Sequence, residues 1–210
     1  MKYIDETTWE RREICKLFSN IGIPFYSVTI PMDVTELYSF CKAKKLSFYH
    51  GMIYVVMKAC NEVEAFRYKL RRDGIVLHER LSPSFTYPRE NDLFGICNVE
   101  WEAGESLVDF CSRAKRAQEG AVSAIPSDED EQRDDFVYIS CLPWFSVTHV
   151  AQEVSLDPNE SIPRLLWDRL RDENGRKCLS MVVQVNHRLI DGVHIHRWLE
   201  AVKREIAALS

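Results

Sequence analysis

Nowhere in this 210-residue chain do eighteen apolar residues run together, so no transmembrane helix and no membrane partner are expected. The opening Met1-Lys2-Tyr3-Ile4-Asp5-Glu6 turns polar almost at once, which is not the order of a secretory signal. Cysteine never occurs at C-x-x-C spacing. The seven that exist (15, 41, 60, 97, 111, 141 and 178) are scattered and odd in number. That pattern argues against a disulfide framework or zinc knuckle, and for reduced thiols in a cytoplasmic protein. There is no basic run, and a formal net charge of −5 speaks against nucleic acid as a partner. Internal repeats and Gly/Ser- or Pro-rich linkers are also missing, so one domain over 1–210 is expected. With 46% hydrophobic residues, such a chain can bury a sizeable core.

What is present alternates between two periods. Spacing predicts a helix over Val34 to Lys45, capped by Asp33 or Thr35, and another over Phe48 to Val63. In the second, Ile53, Val56, Met57, Cys60 and Val63 form an apolar stripe. Phe66 to Leu70 and Ile75 to Glu79 flank Arg72-Asp73-Gly74, a hairpin signal. Phe94 to Trp101 reads as a strand, and Ser106 to Ala117 as an amphipathic helix. The charged stretch Ser127 to Asp135 reads as a solvated loop. Strands are expected at Phe136 to Ser140, Phe145 to Val150 and Met181 to Val185, and a closing helix at Val193 to Leu209. Interleaved strands and helices define an α/β or α+β sandwich.

The most informative string is Val185-Asn186-His187-Arg188-Leu189-Ile190-Asp191-Gly192. Met181, Val183, Val185 and His187 share one strand face, since side chains alternate with period two. An imidazole ending an apolar strand beside an acidic turn is how a general base is commonly presented to a pocket. A buried histidine satisfied by a local Asp would present the same string, and these residues alone leave both readings open. His194-x-His196 resembles a metal pair. On a helix, however, the two side chains point about 200° apart, so no metal site is expected.

The His187 string resembles the H-H-x-x-x-D-G signature of chloramphenicol acetyltransferases, within the CoA-dependent acyltransferase superfamily. Four further places match in the same order: Trp9-Glu10-Arg11-Arg12-Glu13, Phe48-Tyr49-His50-Gly51-Met52-Ile53-Tyr54, Pro83-Ser84-Phe85-Thr86 and Ile139-Ser140-Cys141-Leu142-Pro143-Trp144. The matches run from residue 9 to about 200. The resemblance implies a mixed sheet flanked by helices, a homotrimer with active sites between subunits, and acetyl-CoA as co-substrate for a hydroxyl acceptor such as chloramphenicol. It also implies roles. His187 matches the general base, Ser140 the hydroxyl that holds the oxyanion, and Asp191 the partner of an N-terminal Arg, here Arg11. Gly192 is expected to supply a tight turn where a Cβ would clash. Phe18, Tyr26, Phe94, Val150 and Leu166 fall where the acceptor pocket is expected, and Arg169 where a Lys usually lies near the cofactor.

The chain also departs from the pattern. Asn186 replaces the usual first His, and His187-Arg188-Leu189-Ile190-Asp191-Gly192 is closer to the D-H-R-x-x-D-G of dihydrolipoyl acyltransferases, although the lipoyl domain and linker of those enzymes are not expected here. Leu166 stands in place of a Thr, and Arg164 and Gln152 stand where that pocket is usually apolar. These changes leave two alternatives beside chloramphenicol: another hydroxyl or thiol acceptor, or a non-catalytic trimeric relative that binds a ligand.

Overall fold

Residues Arg176–Asn186 form the strand around which the molecule is built, because from Leu179 onward every side chain on it is buried. In the computed structural model, which describes residues 1–121, 127, 130 and 132–209, the elements in chain order are as follows. β1 (Lys2–Tyr3), α1 (Arg12–Ser19), β2 (Phe25–Asp33), α2 (Thr35–Ala43) and α3 (Phe48–Glu62) precede a short 3₁₀ turn, Glu64–Arg67. Then come β3 (Tyr68–Arg71), β4 (Gly74–Leu77), β5 (Ser82–Pro88), β6 (Phe94–Asn98) and α4 (Leu107–Glu119). β7 (Phe136–Leu142), β8 (Arg164–Asp168), β9 (Arg171–Glu173), β10 (Arg176–Asn186) and α5 (Gly192–Ala207) complete the described elements.

The main sheet is mixed, in the order β2-β10-β8-β7-β5-β6, with β9 on the end of β10. β5, β7 and β8 run parallel, while β2, β10 and β6 pair antiparallel with their neighbours. Register fixes two faces. Val28, Val183, Leu165, Ile139 and Phe85 form one row and lie in the hydrophobic core. That face meets α3, whose Ile53, Val56, Met57 and Cys60 are fully buried as their spacing predicts. α3 in turn packs on α4 and α5, where Trp198 stacks against Phe66 and donates its indole N–H to the Val56 carbonyl. The opposite face carries Thr29, Val182, Leu166 and Ser140 in one row, and Ser27, Gln184, Arg164 and Tyr138 in the next.

Helix starts follow local chemistry. Ser47 and Ser106 cap α3 and α4 by accepting from His50 and Asp109 N–H, and Asp33 accepts from the backbone and hydroxyl of Thr35 ahead of α2. β2 carries Pro31 and lies at the sheet edge, where its missing donor costs nothing.

Three expectations change. Phe145 to Val150 alternates like a strand but joins no ladder. Its neighbourhood is satisfied by side chains instead: Asp168 accepts from Val147 N–H, Ser27 donates to the Val150 carbonyl, and Gln184 brackets the Gln152 backbone. The charged loop is more than solvated surface. Asp128, Glu129 and Glu131 lie outside the described residues, but Asp134 is clamped by both Arg71 nitrogens at 2.7 and 2.8 Å and by His78 at 2.9 Å. Gly192 has no atom within 4 Å of where a Cβ would stand, and its φ is not in the left-handed region. The turn is made by Asp191 and His194, so no clash requires glycine there.

Candidate active site

Two constellations emerge, one at each end of the sheet. The first surrounds His187. β10 delivers it one residue beyond Asn186, and its N–H continues the pairing with β2 by donating to the Pro24 carbonyl at 2.7 Å. Its ring lies between Phe18 of α1, with centroids 4.0 Å apart, and Tyr26 of β2, at 4.4 Å. One-third of the side chain stays exposed.

Arg11, at the start of α1, holds the turn that follows. Its guanidinium places one nitrogen on each carboxylate oxygen of Asp191. It also donates to the carbonyls of Arg188 at 2.9 Å and His187 at 3.0 Å. A fork of five donors suits such a crowd of acceptors, whereas an ammonium would not. Asp191 caps α5, and the His194 ring accepts from the Asp191 N–H at 2.9 Å. His194 is therefore a cap residue rather than half of a metal pair. Among the described residues, no group of three or more His, Cys, Asp or Glu could hold a metal ion. On the far side, the buried Asn186 amide donates to Glu160 and accepts from Arg188 N–H, while Arg188 donates to the Pro158 carbonyl.

The electrostatics favour a neutral imidazole. Burial lowers the His187 pKa below its ordinary 6.5 and the Arg11 charge lowers it further, against the opposing pull of Asp191. Asp191 is itself held below the usual carboxylate range, chiefly by hydrogen bonds from Arg11. One Asp191 oxygen lies 3.4 Å from His187 Nε2, but both of its oxygens are already taken by Arg11. Tyr26 is pushed up to about 12 by burial and by Asp191, so its phenol is un-ionised.

The second constellation surrounds Ser140. It lies in β7 opposite Leu166, with its hydroxyl 3.0 Å from that of Thr86 in β5. Leu166 is buried. Phe94 is 63% exposed and pairs with Pro88, on the same face as Ser140 and at the same end of the sheet. Thr86 was not singled out in the sequence beyond the Pro83-Ser84-Phe85-Thr86 match, and neither was His194 as a cap. A D-x-x-H string ahead of an apolar helix is the signal that could have found the latter.

Within one chain these constellations do not meet. Ser140 is level with Val182 of β10, through Leu166. His187 lies five residues further on, roughly 16 Å along an extended strand. Parity also puts them on opposite faces, His187 with Val183 and Val185, Ser140 with Leu166 and Val182. Val150 meets Ser27, next to Tyr26, through its carbonyl, and Arg169 donates its N–H to the Phe145 carbonyl. Clefts of about 280 and 400 Å³ open elsewhere, one along α1 and one between Tyr54 and Trp101, and neither is lined by His187 or Ser140.

The fold is one that solved acyltransferase structures share. A chloramphenicol acetyltransferase structure superposes with a TM-score of 0.88 over 98% of this chain and 99% of that one, at 22% identity. A probable dihydrolipoamide acetyltransferase from Listeria monocytogenes superposes at 0.67, covering 100% and 96%, at 17% identity. In sequence, the chain is 26% identical to a chloramphenicol acetyltransferase of Bacillus pumilus, over 96% of this chain and 91% of that protein. It is 23% identical to chloramphenicol acetyltransferase 3 of Escherichia coli, over 95% and 93%. These are acyltransferases, and so is this protein. The family model for chloramphenicol acetyltransferase matches residues 1–203, and the chain belongs to that family.

Proposed function

We propose that the protein transfers an acetyl group from acetyl-CoA directly to a hydroxyl of chloramphenicol, with His187 as general base and Ser140 as oxyanion donor. The observation that carries this reading is the part-exposed imidazole of His187, held against the rings of Phe18 and Tyr26 on a turn that Arg11 and Asp191 fix. A free ring nitrogen takes the proton of the acceptor hydroxyl as its oxygen bonds to the thioester carbonyl carbon. The carbonyl oxygen gains the negative charge, which the Ser140 hydroxyl holds. When the carbonyl re-forms, the C–S bond breaks and the departing CoA sulfur takes the proton back from the imidazolium. Phe18, Tyr26, Phe94, Val150 and Leu166 would line the acceptor site, and Arg169 would meet the CoA side.

This chemistry needs His187 and Ser140 within a few ångströms of the same carbonyl, and one chain holds them apart. We therefore infer a composite site in a homotrimer, with the base from one subunit and the oxyanion donor from the next. The exposed apolar side chains support that arrangement. Ile14, Leu17, Ile21 and Ile23 lie exposed on and after α1, the helix that sets Phe18 against His187; Leu93 and Phe94, at the start of β6, and Trp144 and Phe145, just after the strand of Ser140, are exposed too. Two different patches that cover each other make a head-to-tail contact, and such contacts form a ring when the rotation between subunits closes.

The test is thiol release from acetyl-CoA with and without chloramphenicol, beside His187→Ala. Release that requires both the drug and His187 is expected, with the variant slower by roughly 10²–10⁴. Undiminished release by the variant would overturn the base assignment. No drug-dependent release from a folded protein that binds acetyl-CoA would overturn the acceptor.

A further inference from the structure

Ser140 shares its sheet face with a second hydroxyl. The backbone ladder between β5 and β7 has its last pair at Phe85 and Ile139. The next two residues, Thr86 and Ser140, are joined by their side chains, Oγ1 to Oγ at 3.0 Å. Thr86 is itself held firmly. β6 pairs it with Ile96, and the Tyr49 phenol donates to its carbonyl at 2.8 Å. Tyr49 is wedged against Phe85 and Trp167, with ring centroids 5.9 and 5.3 Å away. A β-branched side chain on so constrained a backbone has little χ1 freedom, so the Thr86 oxygen is a fixed point.

A hydroxyl has one proton to give. If Ser140 gave its proton to Thr86, it would have none for an oxyanion. If Thr86 donates instead, the Ser140 proton is free to turn outward, and its oxygen, already accepting, becomes part of a chain that strengthens the outward donor. Negative charge developing on a substrate oxygen selects the second arrangement. We infer that Thr86 is a positioning residue: it donates to Ser140 Oγ and aims the Ser140 hydroxyl at the reacting carbonyl, which Thr86 itself does not touch. This rests on the role of Ser140 given above.

Thr86→Val keeps the shape and removes the hydroxyl, while Thr86→Ser keeps the hydroxyl. Both are measured alone and in a Ser140→Ala background, with melting curves to show that each folds. Thr86→Val is expected to lower kcat on the order of tenfold with KM little changed, a smaller loss than the roughly 10²–10³ of removing the donor itself. Thr86→Ser restores kcat, and Thr86→Val adds nothing once Ser140 is alanine. Wild-type kcat in Thr86→Val beside a slow Ser140→Ala overturns the role of Thr86 alone. So does an equal loss in both backgrounds, which marks a merely structural effect, or failure of serine to restore kcat. Wild-type kcat in Ser140→Ala overturns the oxyanion reading, and this inference with it.

Discussion

Two titratable side chains, one part-exposed and one fully buried, show how environment sets protonation at the scale of single residues. For His187, burial and Arg11 favour the neutral form, and that is the form a base requires. The acid limb of kcat/KM is thus expected to lie below pH 6.5, the ordinary histidine value, with a slope of one. A pH–rate profile checks this, and a limb at or above 6.5 would mean that another group governs. Lys69 makes the converse case in the small hairpin sheet. It is fully buried, and its ammonium donates to the carbonyls of Phe66 at 2.7 Å and Tyr68 at 3.3 Å. Burial, against the attraction of Asp134 and others, pulls its pKa down to about 8. The unfolded chain then holds that proton more tightly than the folded one. Stability is lowered below pH 8 and recovers as pH rises from 8 towards 10.5. Lys69→Met removes this titration. The melting temperature of wild type minus that of the variant is expected to climb across that window, and a flat difference would show that Lys69 does not titrate there.

At the scale of the element, α1 and α5 matter to the site less as helices than through the residues at their starts. Arg11 opens α1 and Asp191 caps α5, and their pair ties both to the turn that carries His187. Asp191→Asn replaces a charged, two-oxygen acceptor with a single neutral side-chain oxygen, beside a guanidinium that is 13% exposed. The expected loss is about 2 kcal/mol, typical for hydrogen bonds to a charged group. For a chain of this length that lowers Tm by roughly 4–8 °C, and kcat should fall with it. A kinetic defect at unchanged Tm would instead assign Asp191 to the chemistry. The elements most legible in the sequence were those whose pattern decides their burial, α2, α3, α4 and apolar β10, although the N-cap of α2 is Val34 rather than Asp33 or Thr35. β2 and β8 were harder to see. β2 is half-exposed on both faces and interrupted by Pro31, and β8 is five residues with Arg164 buried in it. Phe145 to Val150 was misread for the opposite reason, since its alternation is real but its backbone bonds are met by Asp168, Ser27 and Gln184. The Arg11–Asp191 clamp beside His187 could be read from motifs. The Thr86–Ser140 contact could not, because strand register, rather than spacing along the chain, brings the two together.

At the scale of the whole molecule, the sheet itself separates the two residues that the proposed chemistry needs together. β10, β8 and β7 fix Ser140 and His187 at different levels and on different faces, and no side-chain rotation closes roughly 16 Å. The proposed ring resolves this, and it can be tested without a structure of the assembly. His187→Ala subunits retain the donor, and Ser140→Ala subunits retain the base. Each alone builds only defective sites. If every site takes its base from one subunit and its donor from the next, an intact site forms wherever a Ser140→Ala subunit supplies the base and a His187→Ala subunit the donor. Unfolding and refolding an equimolar mixture, so that subunits exchange at random, should therefore restore about one quarter of the wild-type rate, since each of the two choices is right half the time. Simple mixing of the folded variants, without exchange, should restore none. A site built within a single chain gives a different answer: no shuffling of the two variants can place both groups in one subunit, and the refolded mixture would do no better than its Ser140→Ala component. Recovery near one quarter would establish the composite site and make dilution to monomers inactivating; its absence, with oligomers formed, would return both residues to one chain and require the sheet to be rebuilt around them.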